Sequence, residues 1–137
     1  MKQYLNCNRS TRYMEEGQGV PIILIHGVGL DLNMWHKQMK SLSSKYRVIC
    51  YDMLGHGRSA CPPGPYTLDH FVKQLDDLFS SLNLSEAHLI GFSMGGLVAQ
   101  AYAISHPNKV SSLNIISSVA KRSSEQRKGV LERVEKV

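Results

Sequence analysis

Ser93 is the residue whose neighbours best equip it for chemistry. It lies in Ile90-Gly91-Phe92-Ser93-Met94-Gly95-Gly96, a segment of the form G-x-S-x-G. Ala87-His88-Leu89-Ile90 leads in, and Leu97-Val98-Ala99-Gln100-Ala101-Tyr102 leads out. That order reads as strand, sharp turn, helix, with the serine hydroxyl held out at the tip of the strand. Gly91 and Gly95 suit a turn whose backbone angles a side chain resists, and a helix that passes close to adjacent strands. The N–H of Met94 then points where an oxyanion would form, aided by the positive end of the helix that starts there. The chemistry on offer is attack by a hydroxyl on an acyl carbon. The same residues also fit a Gly/Ser-rich loop with no chemical meaning, so the elements around them have to decide.

Those elements alternate. Gln3-Tyr4-Leu5 and Thr11-Arg12-Tyr13-Met14 read as a hairpin, and Gly17-Gln18-Gly19 as a turn. Pro21 to His26 is a nearly unbroken apolar run rich in β-branched residues, as expected of a strand buried on both faces of a parallel sheet. It ends at Gly27-Val28-Gly29. Asn33 to Ser43 is amphipathic, with Trp35, Met39 and Leu42 on one stripe. Tyr46 to Tyr51 is a second strand, which runs into the loop Asp52 to Ser59. Cys61-Pro62-Pro63-Gly64-Pro65 is neither helix nor central strand.

From Thr67, the residues Leu68, Phe71, Val72, Leu75, Leu78, Phe79 and Leu82 recur at helical spacing, with Thr67 as N-cap and Asp69 in the first turn. After the strand before Ser93, a helix runs from Met94 to Ser105 and closes at His106-Pro107. Val110 to Ile116 is a further strand. Ser123 and Gln126 form a capping box for a last helix with Val130, Val134 and Val137 on its apolar stripe. Alternating strands and helices imply a mostly parallel α/β sheet with flanking helices. Ligands in such sheets bind at the carboxyl ends of the strands, where the loops at 26–29, 52–59 and 92–94 all fall.

Composition fits this class. The 137 residues are enough for one domain with a real core. The net charge of +5 does not point to nucleic acid, because much of the excess lies in the stretch from Lys121 to Lys136, where a solvated helix face accounts for it. Cys7, Cys50 and Cys61 show no metal spacing and read as free thiols of a reducing compartment. Met1 to Cys7 lacks a signal-peptide core, and Val20 to Ile25 is far too short to span a membrane. The expectation is a cytoplasmic protein with no membrane partner. No G-x-G-x-x-G follows the first parallel strand, since Gly27-Val28-Gly29-Leu30-Asp31-Leu32 lacks the third glycine, so dinucleotide binding is disfavoured.

Three segments taken in order, His26-Gly27-Val28-Gly29, Asp52-Met53-Leu54-Gly55-His56-Gly57-Arg58-Ser59 and Gly91-Phe92-Ser93-Met94-Gly95-Gly96, resemble the α/β-hydrolase family. Within it the style is most similar to small esterases and enol-lactonases of the 3-oxoadipate group. The resemblance implies that Ser93 is the nucleophile and that the N–H groups of Val28 and Met94 form the oxyanion hole. His26, Gly27, Gly29, Gly91 and Gly95 are then structural residues near the site, and the 52–59 loop braces the neighbouring strand ends. It implies a small-molecule ester or lactone as substrate, no metal and no cofactor. Thioesterase, haloperoxidase and acyltransferase chemistry share the same motifs. Dehalogenases with an aspartate nucleophile do not fit a serine at the elbow.

The family orders its triad as serine, then acid, then histidine. After Ser93 there is no aspartate, the only acids are Glu125, Glu132 and Glu135, and the only histidine is His106. His106 lies thirteen residues along the helix that starts at the nucleophile, roughly 20 Å away at 1.5 Å per residue. A base must stand about 3 Å from the proton it takes, so His106 reads as a C-terminal cap. His56 is expected to pack, His36 and His70 to lie on helix surfaces, and His88 to sit at the wrong end of its strand.

The chain is therefore expected to be the N-terminal part of a hydrolase fold, interrupted after about the sixth strand. Residues 1–120 belong to the core, and 121–137 begin a lid. The last strand would carry an exposed edge, open to another chain or to a missing C-terminal half. The competing expectation is a non-catalytic binding module on the same fold.

Overall fold

The computed structural model describes residues 2–6, 9–119 and 121–135. Six strands form one sheet: β1 (Lys2–Asn6), β2 (Arg9–Glu16), β3 (Pro21–Ile25), β4 (Arg47–Tyr51), β5 (Ala87–Phe92) and β6 (Val110–Ile116). Their order across the sheet is β1-β2-β4-β3-β5-β6. The hairpin β1/β2 pairs antiparallel and β2 joins β4 antiparallel, whereas β4, β3, β5 and β6 run parallel. The hairpin strands are longer than the sequence pattern suggested. The helices are α1 (His36–Leu42), α2 (Leu68–Ser81), α3 (Met94–Ser105) and α4 (Ser124–Glu135).

Strand β3 is central. From it the chain crosses to β4 on one side, then returns over β3 to β5 on the other. The reversal opens a crevice at the carboxyl ends of β3 and β5, where open α/β sheets hold their ligands. Both faces of β3 are covered, which explains its unbroken apolar run. Ile23 and Ile25 join the cluster that holds Phe71, Leu75 and Leu78 of α2 and Val98, Ala99 and Tyr102 of α3. Ile22 and Leu24 point the other way, towards Leu32, Trp35 and Met39. Side chains alternate along a strand, so each face receives every second residue.

The amphipathic stripe of α2 is buried at Phe71, Leu75, Leu78 and Phe79. Its first member, Leu68, is 44% exposed and turns towards the crevice described below. At the helix start the Thr67 N–H donates to His70 Nδ1 (3.0 Å). The far end of α3 is fastened to α2 and to the turn before β6. There, Asp76 accepts from the Tyr102 hydroxyl at 3.0 Å and from Lys109 Nζ at 2.8 Å. His106 stacks on Tyr102 with ring centroids 4.4 Å apart. Burial opposes the charge on Asp76, but the bonds from Lys109 and Tyr102 outweigh it and hold the carboxyl below its ordinary range.

Strand β6 pairs only with β5 and is the outer strand of the sheet among the described residues. Leu113, Ile115 and Ile116 on it are exposed. Helix α4 starts as its capping residues dictate. The Ser123 N–H donates to Gln126 Oε1 (2.8 Å), and Ser123 Oγ accepts from the Gln126 N–H (3.2 Å). Val130 is half-buried, while the Val134 side chain and Val137 lie outside the described residues. No described helix is long and apolar enough to cross a membrane.

Candidate active site

The turn from β5 to α3 puts its unusual backbone angles on Ser93 itself, at φ 53° and ψ −115°. This corrects the expectation that Gly91 and Gly95 would carry the strained angles. Neither has a positive φ. Their role is close approach. A Cβ on Gly91 would stand 2.4 Å from the Gly95 carbonyl oxygen, and one on Gly95 would stand 2.2 Å from that of Ile25. Helix α3 can therefore lie against β3 and β5 only if both positions lack side chains.

Backbone contacts hold the bend. The Ser93 N–H donates to the Ile116 carbonyl (2.9 Å). The Ser93 carbonyl accepts from the Gly96 N–H at 2.9 Å and from the Ser118 hydroxyl at 2.6 Å. A positive φ on a residue with a side chain persists only where its surroundings over-determine it.

The 27–29 loop comes up against the same point. A Cβ on Gly27 would lie 3.3 Å from Ser93 Cβ and 3.0 Å from the Phe92 ring. Gly29 has φ +73° and open space around it, so it serves the turn and not a close contact. Val28 is 67% exposed. Val28, Ser93 and Met94 line one cavity of about 370 Å³, whose other walls include Tyr66, Leu68, Phe71, Leu97, Val119 and Arg122. Among the described residues, no acceptor is paired with the N–H of Val28 or of Met94.

His26 is fully buried and serves as a brace. Its Nδ1–H donates to the Gly27 carbonyl at 2.8 Å, and its Nε2 accepts the Met53 N–H at 2.9 Å. Only the neutral ring satisfies both bonds. Burial lowers its pKa below the usual range, and the nearby His56 adds to that. The two rings stand 5.1 Å apart, and His56 Nδ1 bonds the Leu54 carbonyl at 2.9 Å.

The loop after β4 is built on Asp52, which has no exposure. Its Oδ2 meets Arg12 Nη1 at 3.1 Å and the Arg58 N–H at 2.9 Å, and its Oδ1 accepts the Leu32 N–H at 2.8 Å. Gln74, which the sequence reading passed over, completes the brace. Its Oε1 accepts the Leu54 N–H (2.9 Å), and its Nε2 donates to Thr11 Oγ1 (3.0 Å) and the Asp52 carbonyl (3.1 Å). The available signal was a polar residue on the buried stripe of α2, between Phe71 and Leu78.

The remaining histidines lie where the sequence put them. His36 is exposed, His70 caps α2, and His88 bonds Ser112 Oγ at 2.6 Å at the amino end of β5. His106 is the C-cap of α3, twelve helical residues from the elbow. Among the described residues, no histidine, aspartate or glutamate lines the Ser93 cavity. Among the described residues no three His, Cys, Asp or Glu side chains converge to hold a metal.

Comparison with known proteins agrees with this architecture. The family model described as "alpha/beta hydrolase fold" matches residues 20–136. The chain is 36% identical to an (E)-2-((N-methylformamido)methylene)succinate hydrolase of Acinetobacter baylyi, across 96% of this chain and 50% of that one. It is 37% identical to 3-oxoadipate enol-lactonase 2 of the same organism, across 73% of this chain and 38% of that one. A structure reported among carboxylesterases of Nitrososphaera gargenis superposes with a TM-score of 0.90 at 30% identity, covering 99% of this chain and 52% of the other. The chain thus spans about half or less of the length of these proteins. A sheet that reverses at β3, an elbow at Ser93 and a matching family model over residues 20–136 lead to one conclusion: the chain belongs to the alpha/beta hydrolase fold family.

Proposed function

We propose that this chain carries the nucleophile and the oxyanion site of a serine hydrolase acting on carboxylic esters or lactones. The observation that supports it is the meeting of Ser93, Val28 and Met94 on one cavity, with the Ser93 backbone fixed from both sides. Ser93 Oγ attacks the acyl carbon, and the N–H groups of Val28 and Met94 receive the negative charge that develops on its oxygen. The C–O bond to the alcohol breaks, and the serine proton passes through a base to the departing oxygen. Water then releases the acid. A relative named as an enol-lactonase favours acyl cleavage of this kind.

Among the described residues, none that lines the cavity can serve as the proton acceptor. We place it on chain that would pack beside the free edge of β6, next to the Ile116 carbonyl that holds Ser93. The same observation favours a second reading, a non-catalytic module that binds a small molecule in this cavity.

A fluorophosphonate probe separates the two. With no base on the cavity wall, the catalytic reading expects slow but site-specific covalent labelling at Ser93 that Ser93→Ala abolishes. A wild-type chain that stays unlabelled while it binds small carboxylic esters supports the binding module and sinks the hydrolase.

A further inference from the structure

We infer that Ser117 supplies a third hydrogen-bond donor to the reaction, on the side of Ser93 opposite the Val28 turn, and that it serves the departing alcohol oxygen. This rests on the serine-hydrolase reading and adds a residue to it. Val28 and Met94 receive the carbonyl oxygen, and Ser117 receives the oxygen that leaves.

Among the described residues, three other than glycine have a positive φ: Asn83, Ser93 and Ser117. Asn83 lies just past the end of α2, where a left-handed residue is ordinary. Ser93 is the elbow itself. Ser117, at φ 50°, follows a strand and caps no helix. A side chain held at such an angle on the wall of the Ser93 cavity points to function.

The sheet brings Ser117 level with the elbow. Phe92 pairs with Ile116 across β5 and β6, so Ser93 and Ser117 follow at the same height. Both neighbours of Ser117 bond the Ser93 backbone. The Ile116 carbonyl accepts its N–H at 2.9 Å, and the Ser118 hydroxyl donates to its carbonyl at 2.6 Å. A Cβ on Gly96 would stand 2.6 Å from Ser118 Cβ, so the same stretch also lies close against α3. Strand β3 flanks β5 on the other side, and its 27–29 turn comes up against Ser93. Ser93 is thus bracketed by Val28 from one strand end and Ser117 from the other.

Four residues with hydroxyl groups line the cavity: Tyr66, Ser93, Ser117 and Ser118. Tyr66 donates to the Pro62 carbonyl and Ser118 to that of Ser93. Among the described residues, no partner is paired with Ser117 Oγ. Leu68, Phe71, Leu97 and Val119 give the cavity an apolar wall suited to an acyl chain. A tetrahedral carbon on Ser93 Oγ directs its oxyanion to the Val28 and Met94 N–H groups and its acyl chain to that wall. Its remaining oxygen is left to the β6 side. That oxygen gains negative charge as its bond to carbon breaks, so a hydrogen bond to it strengthens in the transition state. Ser117 keeps its own proton, and the base delivers the one that the departing oxygen takes.

The test uses butylboronic acid and dibutylborinic acid. Each adds to a serine oxygen to give tetrahedral boron and releases a proton to alkaline buffer, so no protein base is needed. The boronate keeps two hydroxyls, one for each oxygen site, whereas the borinate keeps one, for the oxyanion site. Binding to the full chain is followed by the Met94 amide signal, with S93A as the blank. The boronic-to-borinic affinity ratio should fall about 5- to 10-fold in Ser117→Gly and Ser117→Ala, the worth of one hydrogen bond. Glycine suits a positive φ, so Ser117→Gly removes the hydroxyl and keeps the turn. An unchanged ratio, or affinities for both acids that fall together, overturns the assignment and leaves Ser117 a turn residue. If S93A responds to both acids as the wild-type chain does, the serine reading itself falls and takes the assignment with it.

Discussion

The Ser118 hydroxyl donates a 2.6 Å hydrogen bond to the backbone carbonyl of Ser93. Together with the Ile116 carbonyl on the Ser93 N–H, it grips the peptide on both sides of the elbow. Ser118→Ala removes one donor but leaves the Gly96 N–H on the same carbonyl. We expect a cost of about 1 kcal/mol and about a fivefold slower fluorophosphonate labelling of Ser93. Ser118→Thr should restore the rate. Wild-type labelling speed in Ser118→Ala would show that this bond does not hold the serine for reaction.

Gly95 and Gly29 should behave differently when changed to alanine. At Gly95 a methyl group would collide with the Ile25 carbonyl at 2.2 Å, and backbone on both sides has to move. A loss of about 3 kcal/mol or more is expected. At Gly29 the space is open and only the φ of +73° resists, which costs about 1 kcal/mol. Urea unfolding of the two variants measures the difference. Equal losses would mean that the helix does not press on β3 as described.

Asp52→Asn keeps the shape of the buried carboxylate but removes the negative charge that faces Arg12, itself almost without exposure. Breaking such a buried pair costs about 3 kcal/mol. The unfolding midpoint should fall accordingly at neutral pH. A change below about 0.5 kcal/mol would show that the loop is braced by its backbone bonds alone.

His26 supplies a pH dependence whose sign follows from its environment. Its folded pKa lies below the ordinary 6.5, because burial disfavours the charged ring. The stability it contributes is fully present above pH 6.5. As the pH falls below that value the unfolded chain binds a proton that the folded chain refuses, and stability declines. Chemical denaturation at pH 7 and pH 5 should therefore show a loss that His26→Gln reduces. A wild-type curve that is flat over this interval, or steeper in the variant, contradicts the buried neutral ring.

Much of this architecture was legible because it is periodic or local. The unbroken run at 21–26 announced a strand covered on both faces, and α3 and β6 begin and end where their apolar patterns do. The Ser123–Gln126 cap could be read from two residues three apart. What escaped depends on contacts between distant parts of the chain, which leave no spacing to read. Gln74 reaches Thr11 across sixty-three positions, and Arg12 reaches Asp52 across forty. The strain at the elbow was assigned to the glycines because glycine tolerates it, but the tight approach of α3 to Ile25 needs the glycines and leaves the bend to Ser93.

Helix α3 is clamped at both extremities. Ile116 and Ser118 seize the peptide before its first turn, and Asp76 with Lys109 secures Tyr102 in its last. A rod of twelve residues anchored in this manner has no freedom to retract along its own axis. The hydroxyl at its tip is therefore denied the easiest route by which a crowded left-handed residue would unwind, and the sheet and the second helix jointly keep it cocked.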